Sequence, residues 1–143
     1  MYFIRLGAVF ALLGVALGAM GAHVLKDVLG AEHLATYETA VRYQMYHAFA
    51  LLAVGIVQYF NDVLRRNLPQ NSPNQLPNYR WHPKAWQWAG RLFVAGIGCF
   101  CGSLYLLAFR DVLPFGVSWV GPVTPLGGVC WLAGWVCVVR ATV

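Results

Sequence analysis

Charged residues are scarce in this sequence, and acidic residues are the scarcest. Asp, Glu, Lys and Arg together make up 10% of the 143 residues, against about 25% in an average soluble domain. The five acidic residues all lie at the ends of apolar stretches or between them, so no stretch has a carboxylate at its centre. Proton-coupled carriers often have a carboxylate there, and the sequence therefore disfavours that class.

Catalytic motifs are absent as well. The G-x-S-x-G pattern of α/β-hydrolases does not occur, and the short motifs supply no nucleophile, base and orienting acid that form a set. The four cysteines fit no zinc spacing, and they fall within apolar stretches, where thiols behave as small apolar groups. We therefore predict no enzyme activity, no metal site and no cofactor. These cysteines are Cys99, Cys101, Cys130 and Cys137.

Long apolar stretches are what the sequence does contain. Hydrophobic residues make up 59% of the chain, and four stretches are long enough for an α-helix to cross the hydrocarbon of a bilayer, which takes about 20 residues. Arg5 before the first stretch is also typical of a cleaved signal peptide, but the stretch is longer than a signal needs, and we predict a retained helix. The predicted fold class is an all-α, polytopic membrane protein with one domain, 1–143, whose four transmembrane helices are 4–25, 38–60, 89–109 and 115–139.

The Lys and Arg residues predict the orientation of these helices. Seven lie at the N-terminus, in the loop 61–88 with the start of the third helix, or at the C-terminus, and three lie on the other side. By the positive-inside rule, we predict that both termini and the loop are in the cytoplasm or its equivalent. The net charge of +5 therefore indicates orientation and contact with anionic lipid rather than nucleic acid.

Two segments depart from regular helix. Between the first two spans, Gly30 divides "HVLKDVLGAEHLATYE" into a short amphipathic piece and a second piece, which we expect to begin near Ala31 or Glu32 and to continue into the second helix. In the fourth span, Pro122 and Pro125 each remove a backbone donor and free a carbonyl one turn back. We therefore predict a proline-broken fourth helix between residues 121 and 128.

Glycines spaced four apart mark two helices. Stripes of small residues let a neighbouring helix approach closely, and we expect them to pack helices within the bundle. The predicted packing or helix-breaking positions are Gly14, Gly18, Gly21, Gly98, Gly102, Pro122, Pro125, Gly127 and Gly128.

Polar residues crowd the start of the second helix, in "ETAVRYQMYHAF" at 38–49. Glu38 and Arg42 are four apart and are predicted to pair at the membrane interface. Gln44 and His47 lie on the opposite face, and because lipid offers an amide or imidazole no partner, we expect them to turn toward other helices. The predicted intramembrane polar cluster is His23, Tyr43, Gln44, His47, Ser103 and Tyr105.

Several of these motifs together are similar to one family. The segments "GAMGAH" at 18–23, "YQMYHA" at 43–48, "GSLY" at 102–105 and "TPLGG" at 124–128 resemble the YgdD-like small membrane proteins, catalogued as domain of unknown function 423, which includes transmembrane protein 256. The resemblance implies a four-helix inner-membrane protein without an established activity, and it supplies no catalytic residues. This chain departs from the family in its long Pro/Asn/Trp loop and in Cys99 and Cys101.

Three functions fit these observations. The favoured one is an accessory or assembly component of a membrane complex, whose partners are the lipid bilayer and a membrane protein or a second copy. A channel or transporter for an ion or small polar solute is the alternative, since unwound backbone inside a membrane often binds ligands. Less favoured is a protein that binds haem or copper through His23 and His47, with Met20 and Met45 as further copper ligands.

Overall fold

The computed structural model describes residues 1–67, 82–114 and 116–142. Over these residues the chain is helical without strands, and four helices are long and apolar enough to cross a membrane, which confirms the predicted all-α membrane fold. They are α1 (Tyr2–His23), α2 (Ala31–Asn67), α3 (Pro83–Ala108) and α4 (Val123–Thr142). Single 3₁₀ turns occur at Leu25–Asp27 and Ser118–Val120. A π-helical turn, Ile97–Cys101, interrupts α3.

The connection between α1 and α2 is short, as predicted. The amphipathic piece forms only the 3₁₀ turn, and α2 begins at Ala31, directly after Gly30. At 37 residues, α2 is about 55 Å long. It therefore exceeds the roughly 30 Å of hydrocarbon, and its ends project beyond it.

Helices also extend into both ends of the predicted loop 61–88. The second helix continues to Asn67, because no proline occurs between residues 61 and 67. The third helix starts at Pro83 rather than residue 89, since proline at the first position of a helix gives up an N–H that has no helical partner anyway. The prolines at 69, 73 and 77 lie outside the described residues.

The fourth helix is not broken between residues 121 and 128. It begins at Val123 and runs without interruption to Thr142, so Pro122 precedes the helix and Pro125 lies in its first turn. The backbone N–H groups of a first turn have no intrahelical acceptor, and proline there costs no hydrogen bond. The expected break is therefore the start of the helix, and residues 116–122 form the connection before it.

Glycine contacts hold α1 against α2 in an antiparallel pair. A Cβ built on Gly7 would meet the backbone of α2 at 2.9 Å, one on Gly14 would meet Sδ of Met45 at 2.6 Å, and one on Gly21 would meet the ring of Tyr37 at 2.9 Å. In α2, Gly55 faces the backbone of Ile4 in the same way. The two helices therefore lie closer than larger residues would allow.

Glycines also set the contact of α4 with α3. Gly127 lies against the backbone of Phe100, Gly134 against the ring of Phe93, and Gly96 of α3 against the ring of Trp131. In contrast, a Cβ on Gly98, Gly102 or Gly128 would meet no atom within 4 Å. These three glycines were predicted to pack or break helices, but no described residue packs against them.

Candidate functional site: the polar residues inside the bundle

Gln44 joins three helices. Its side chain is only 4% exposed, its Nε2 donates a hydrogen bond to the Phe10 carbonyl of α1 at 2.9 Å, and its Oε1 accepts one from the Tyr105 hydroxyl of α3 at 2.9 Å. The close approach of α1 at Gly14 brings the Phe10 carbonyl within reach. A carbonyl has two lone pairs, so Phe10 can accept this bond in addition to its helical one.

Tyr105 extends this link toward the end of α1. Its ring lies 5.2 Å from the ring of Tyr37 in α2, and the Tyr37 hydroxyl donates to the Leu17 carbonyl of α1 at 2.9 Å. Tyr37 is 1% exposed. It precedes the predicted second span and was therefore not predicted to lie inside the bundle. Together Gln44, Tyr105 and Tyr37 bond α2 to both of its neighbours.

His47 is buried by an aromatic stack rather than by a polar network. Its imidazole lies parallel to the indole of Trp131 in α4, with ring centroids 3.7 Å apart, and its Nδ1 is 2.9 Å from the Tyr43 carbonyl one turn back. A carbonyl only accepts, so Nδ1 carries the proton in this bond. The sequence did not identify Trp131 as the partner, because its indole reaches His47 only where α4 packs against α3 at Gly96.

A pair of hydroxyl groups ties α3 to the start of α4. The Ser103 hydroxyl donates to the Phe100 carbonyl at 2.9 Å, and the Thr124 hydroxyl lies 2.7 Å from the Ser103 oxygen. Since Ser103 has one proton and gives it to Phe100, Thr124 is the donor to Ser103. Phe100 belongs to the π-helical turn, so this bond satisfies a carbonyl where the helix is locally widened. Thr124 lies in the "TPLGG" motif but was not predicted as a site residue.

One member of the predicted cluster lies elsewhere, and another lies at the edge of the cluster. His23 is exposed at the end of α1, nine residues and about 14 Å beyond Gly14, which lies at the level of Met45. It therefore does not meet His47, and the two cannot serve as a pair of axial haem ligands. Tyr43 is 39% exposed, because it lies about 70° from the centre of the buried face of α2. Its ring packs on Trp131 at 5.7 Å.

The predicted Glu38–Arg42 pair is not formed, and both side chains are exposed. Holding two long exposed side chains together costs entropy that a surface ion pair barely repays. Instead, the described ion pairs join the start of α2 to the end of α3. His33 Nε2 lies 2.6 Å from the Asp111 carboxylate, and Arg110 lies 3.6 Å from Glu32.

The Asp111 carboxylate lies outside the membrane-spanning helices. Because it can only accept when ionised, His33 donates the hydrogen bond, and this bond holds the pKa of Asp111 below its ordinary value. The sequence did not reveal this contact, since the residues are 78 positions apart.

The described polar side chains of the bundle are not arranged as metal ligands. Within the described ranges, no three His, Cys, Asp or Glu side chains are grouped to hold an ion, and the four thiols are free. What the interior polar groups do chemically is donate and accept hydrogen bonds between helices.

The sequence is similar to those of a known family of membrane proteins. The profile described as "Protein of unknown function (DUF423)" matches residues 17–128. A UPF0382 membrane protein of Staphylococcus saprophyticus is 36% identical over 140 residues, which cover 98% of this chain and 95% of the relative. The UPF0382 membrane protein YwdK of Bacillus subtilis is 37% identical over 141 residues, covering 99% and 95%. No solved structure matches the chain. The chain therefore belongs to the DUF423 family of membrane proteins of unknown function.

Proposed function

We propose that this protein is a non-enzymatic accessory or assembly component of an inner-membrane complex. The observation that carries the proposal is that three buried polar side chains, those of Gln44, His47 and Ser103, are bonded within the chain, although Nε2 of the Gln58 amide is buried without a hydrogen-bond partner among the described residues. Gln44 uses both ends of its amide, Ser103 uses its proton and its oxygen, and His47 uses Nδ1 and its ring face. Groups engaged in this way stabilise helix packing, at about 0.6 kcal/mol for an average interhelical hydrogen bond.

The transport hypothesis loses its main support. It relied on an interrupted fourth helix inside the membrane, whereas α4 is continuous from Val123. The π-helical turn of α3 does not replace it, because the Phe100 carbonyl is taken by Ser103 and its backbone is covered by Gly127.

The surface of α3 around Gly98 and Gly102 is the proposed contact with a partner. These glycines are four apart and open, and small residues at this spacing allow two transmembrane helices to approach closely. The occupant we propose is a transmembrane helix of another protein in the same membrane, and a second copy of this chain is the competing outcome. The excess of Lys and Arg on one side supports a cytoplasmic location of both termini.

Cross-linking tests this surface. A single cysteine is introduced at Gly98 in a background whose four native cysteines are alanine, and a thiol-directed cross-linker is applied to native membranes. The matched control is Ala16→Cys, which is also exposed and lies at a similar depth on α1. We expect a discrete cross-linked partner from position 98 and none from position 16. Adding Gly102→Leu should remove the cross-linked product. The leucine side chain has open space within this protein, but it occupies the surface that the partner helix would contact.

The product itself distinguishes the occupants. A cross-linked species of twice the mass of the chain identifies a second copy. The same products from positions 98 and 16, or none from either, would contradict the proposal.

A further inference from the structure

A groove lies between α1 and α2 near the C-terminal end of α1. Its volume is about 270 Å³, and it exists because two residues of α1 there have no side chain. The Tyr37 ring forms one wall, and its hydroxyl is already bonded to Leu17, so this wall is apolar. The residues of the groove used below are Gly18, Gly21, Tyr37, Glu38, Val41 and Arg42.

One acidic and one basic side chain border this groove. Glu38 and Arg42 lie one turn apart on α2, both are exposed, and they do not form an ion pair with each other although they are correctly spaced for one. Two opposite charges that flank a groove without pairing can each bind the opposite charge of a ligand.

The depth of the two charges in the membrane differs. Gly21 lies against Tyr37, so the adjacent Glu38 is level with the end of α1, at the membrane surface. Arg42 is four residues further along α2, about 6 Å deeper. Gly18 and Val41 line the apolar part of the groove at the level of Arg42. From the surface inward, the order is therefore acid and then base, with an apolar wall beside the base.

We propose that this groove binds a phospholipid whose zwitterionic headgroup carries a primary ammonium, as in phosphatidylethanolamine. In such a lipid the ammonium is outermost, the phosphate lies deeper, and the acyl chains follow. Glu38 then accepts hydrogen bonds from the ammonium, Arg42 donates to the phosphate oxygens, and the glycerol group with the start of one acyl chain lies against Gly18 and Val41. The order of the two charges fits this lipid in either leaflet of the membrane, because it depends only on the depth of each side chain below the membrane surface.

The proposal predicts headgroup selectivity. Phosphatidylglycerol offers the same phosphate to Arg42 but has no ammonium, and its negative charge is repelled by Glu38. Native mass spectrometry of the full chain in detergent, titrated with the dioleoyl form of each lipid, measures the two dissociation constants. We expect phosphatidylethanolamine to bind about three- to fivefold more tightly, the ratio that corresponds to one exposed charge pair.

Variants separate the two charges. Glu38→Gln should remove the preference and leave the two lipids equal, whereas Arg42→Gln should weaken both. Lys26→Gln is the matched control, because Lys26 is an exposed cation at the same end of the bundle but outside the groove; it should bind as the unmodified protein does.

Filling the groove provides a second, steric test. A Cβ on Gly18 would meet only Cγ1 of Val41, at 3.4 Å, so Gly18→Leu should leave the thermal midpoint unchanged while weakening the binding of both lipids. Equal binding of both lipids by the unmodified protein would overturn the proposal, and so would an equal loss for Lys26→Gln and Arg42→Gln, which would indicate non-specific lipid around the protein.

Discussion

Both ends of the buried Gln44 amide are hydrogen-bonded. It bonds the backbone of α1 and the side chain of α3, so a single residue holds α2 between its two neighbours. Unbonded amides inside hydrocarbon are costly, and the same cost applies to any partner left without its bond. The residue is therefore best tested by replacing it with an apolar side chain of similar length.

Gln44→Leu should lower the free energy of unfolding by about 1–2 kcal/mol, because the Tyr105 hydroxyl loses its acceptor inside the bundle. Denaturation in detergent micelles measures the change. Gln87→Leu, at an exposed position of α3, serves as the control and should have little effect. A variant at position 44 as stable as the unmodified protein would show that these bonds do not stabilise the fold.

Sequence reasoning placed Gln44 and His47 on one face and grouped Ser103 and Tyr105 with them, but it did not identify the other partners. The helical period predicted that Gln44 and His47 share a face, and both are buried, because periodicity is a property of one helix. The stack on Trp131 and the bonds to the Phe10 carbonyl and Thr124 depend on how separate helices meet, which local pattern does not encode.

Among the helices, glycine has two different uses. Gly96 lies directly against the Trp131 ring, whereas Gly98, two residues later in the same helix, has open space around it. Their spacing in the sequence could not distinguish them. The same limitation explains the misassigned prolines: Pro125 would break a helix interior, but it is harmless in a first turn, and the sequence did not show where α4 begins.

The pair Gly96→Ala and Gly98→Ala tests this distinction. The first methyl group would overlap the Trp131 indole, and we expect a loss of about 1–3 kcal/mol from overpacking. The second meets nothing, and replacing glycine by alanine in a helix should be neutral or stabilising by up to about 1 kcal/mol. Thermal midpoints of the two variants in the same detergent measure both effects. Equal losses would contradict the contact assigned to Gly96.

The ends of α2 and α3 are joined by the His33–Asp111 hydrogen bond, which has a pH signature. The pKa of the Asp111 carboxyl is lowered in the folded protein, so its contribution to stability is present above the ordinary aspartate pKa near 3.8 and is lost as the pH falls through the lowered value. Carbon-13 NMR of the carboxyl should show the lowered pKa, and His33→Ala should raise it toward the ordinary value. An unchanged pKa in that variant would exclude the assigned cause.

For the whole molecule, one part of the outer surface suits lipid and another is the contact that we propose for a partner helix. The large apolar side chains left exposed on α1 and α4, such as Leu12, Val15, Leu132 and Val139, suit acyl chains. The open glycines of α3 suit another helix. Composition alone predicted the membrane class and the number of helices, because a 20-residue apolar stretch permits few other structures.

The orientation of the molecule remains a prediction from the charge count. Single cysteines at Asp27 and Lys84, both exposed, should react with a membrane-impermeant reagent from opposite sides of intact cells or sealed vesicles. We expect Asp27→Cys to be labelled from outside and Lys84→Cys only after the membrane is opened. Labelling of both from one side would refute four crossings in the proposed order.

In the function that we propose, the buried polar residues hold the helices together while the α3 surface at Gly98 and Gly102 binds the partner. The most direct test is the yield of the cross-link from Gly98→Cys when Gln44→Leu is added, measured in native membranes at a temperature where the less stable variant is still folded. We predict an unchanged yield, although the thermal midpoint is lower. If the yield is instead lost as completely as with Gly102→Leu, in a protein whose midpoint has not changed, the polar cluster itself is the functional site. That result would contradict the proposed function.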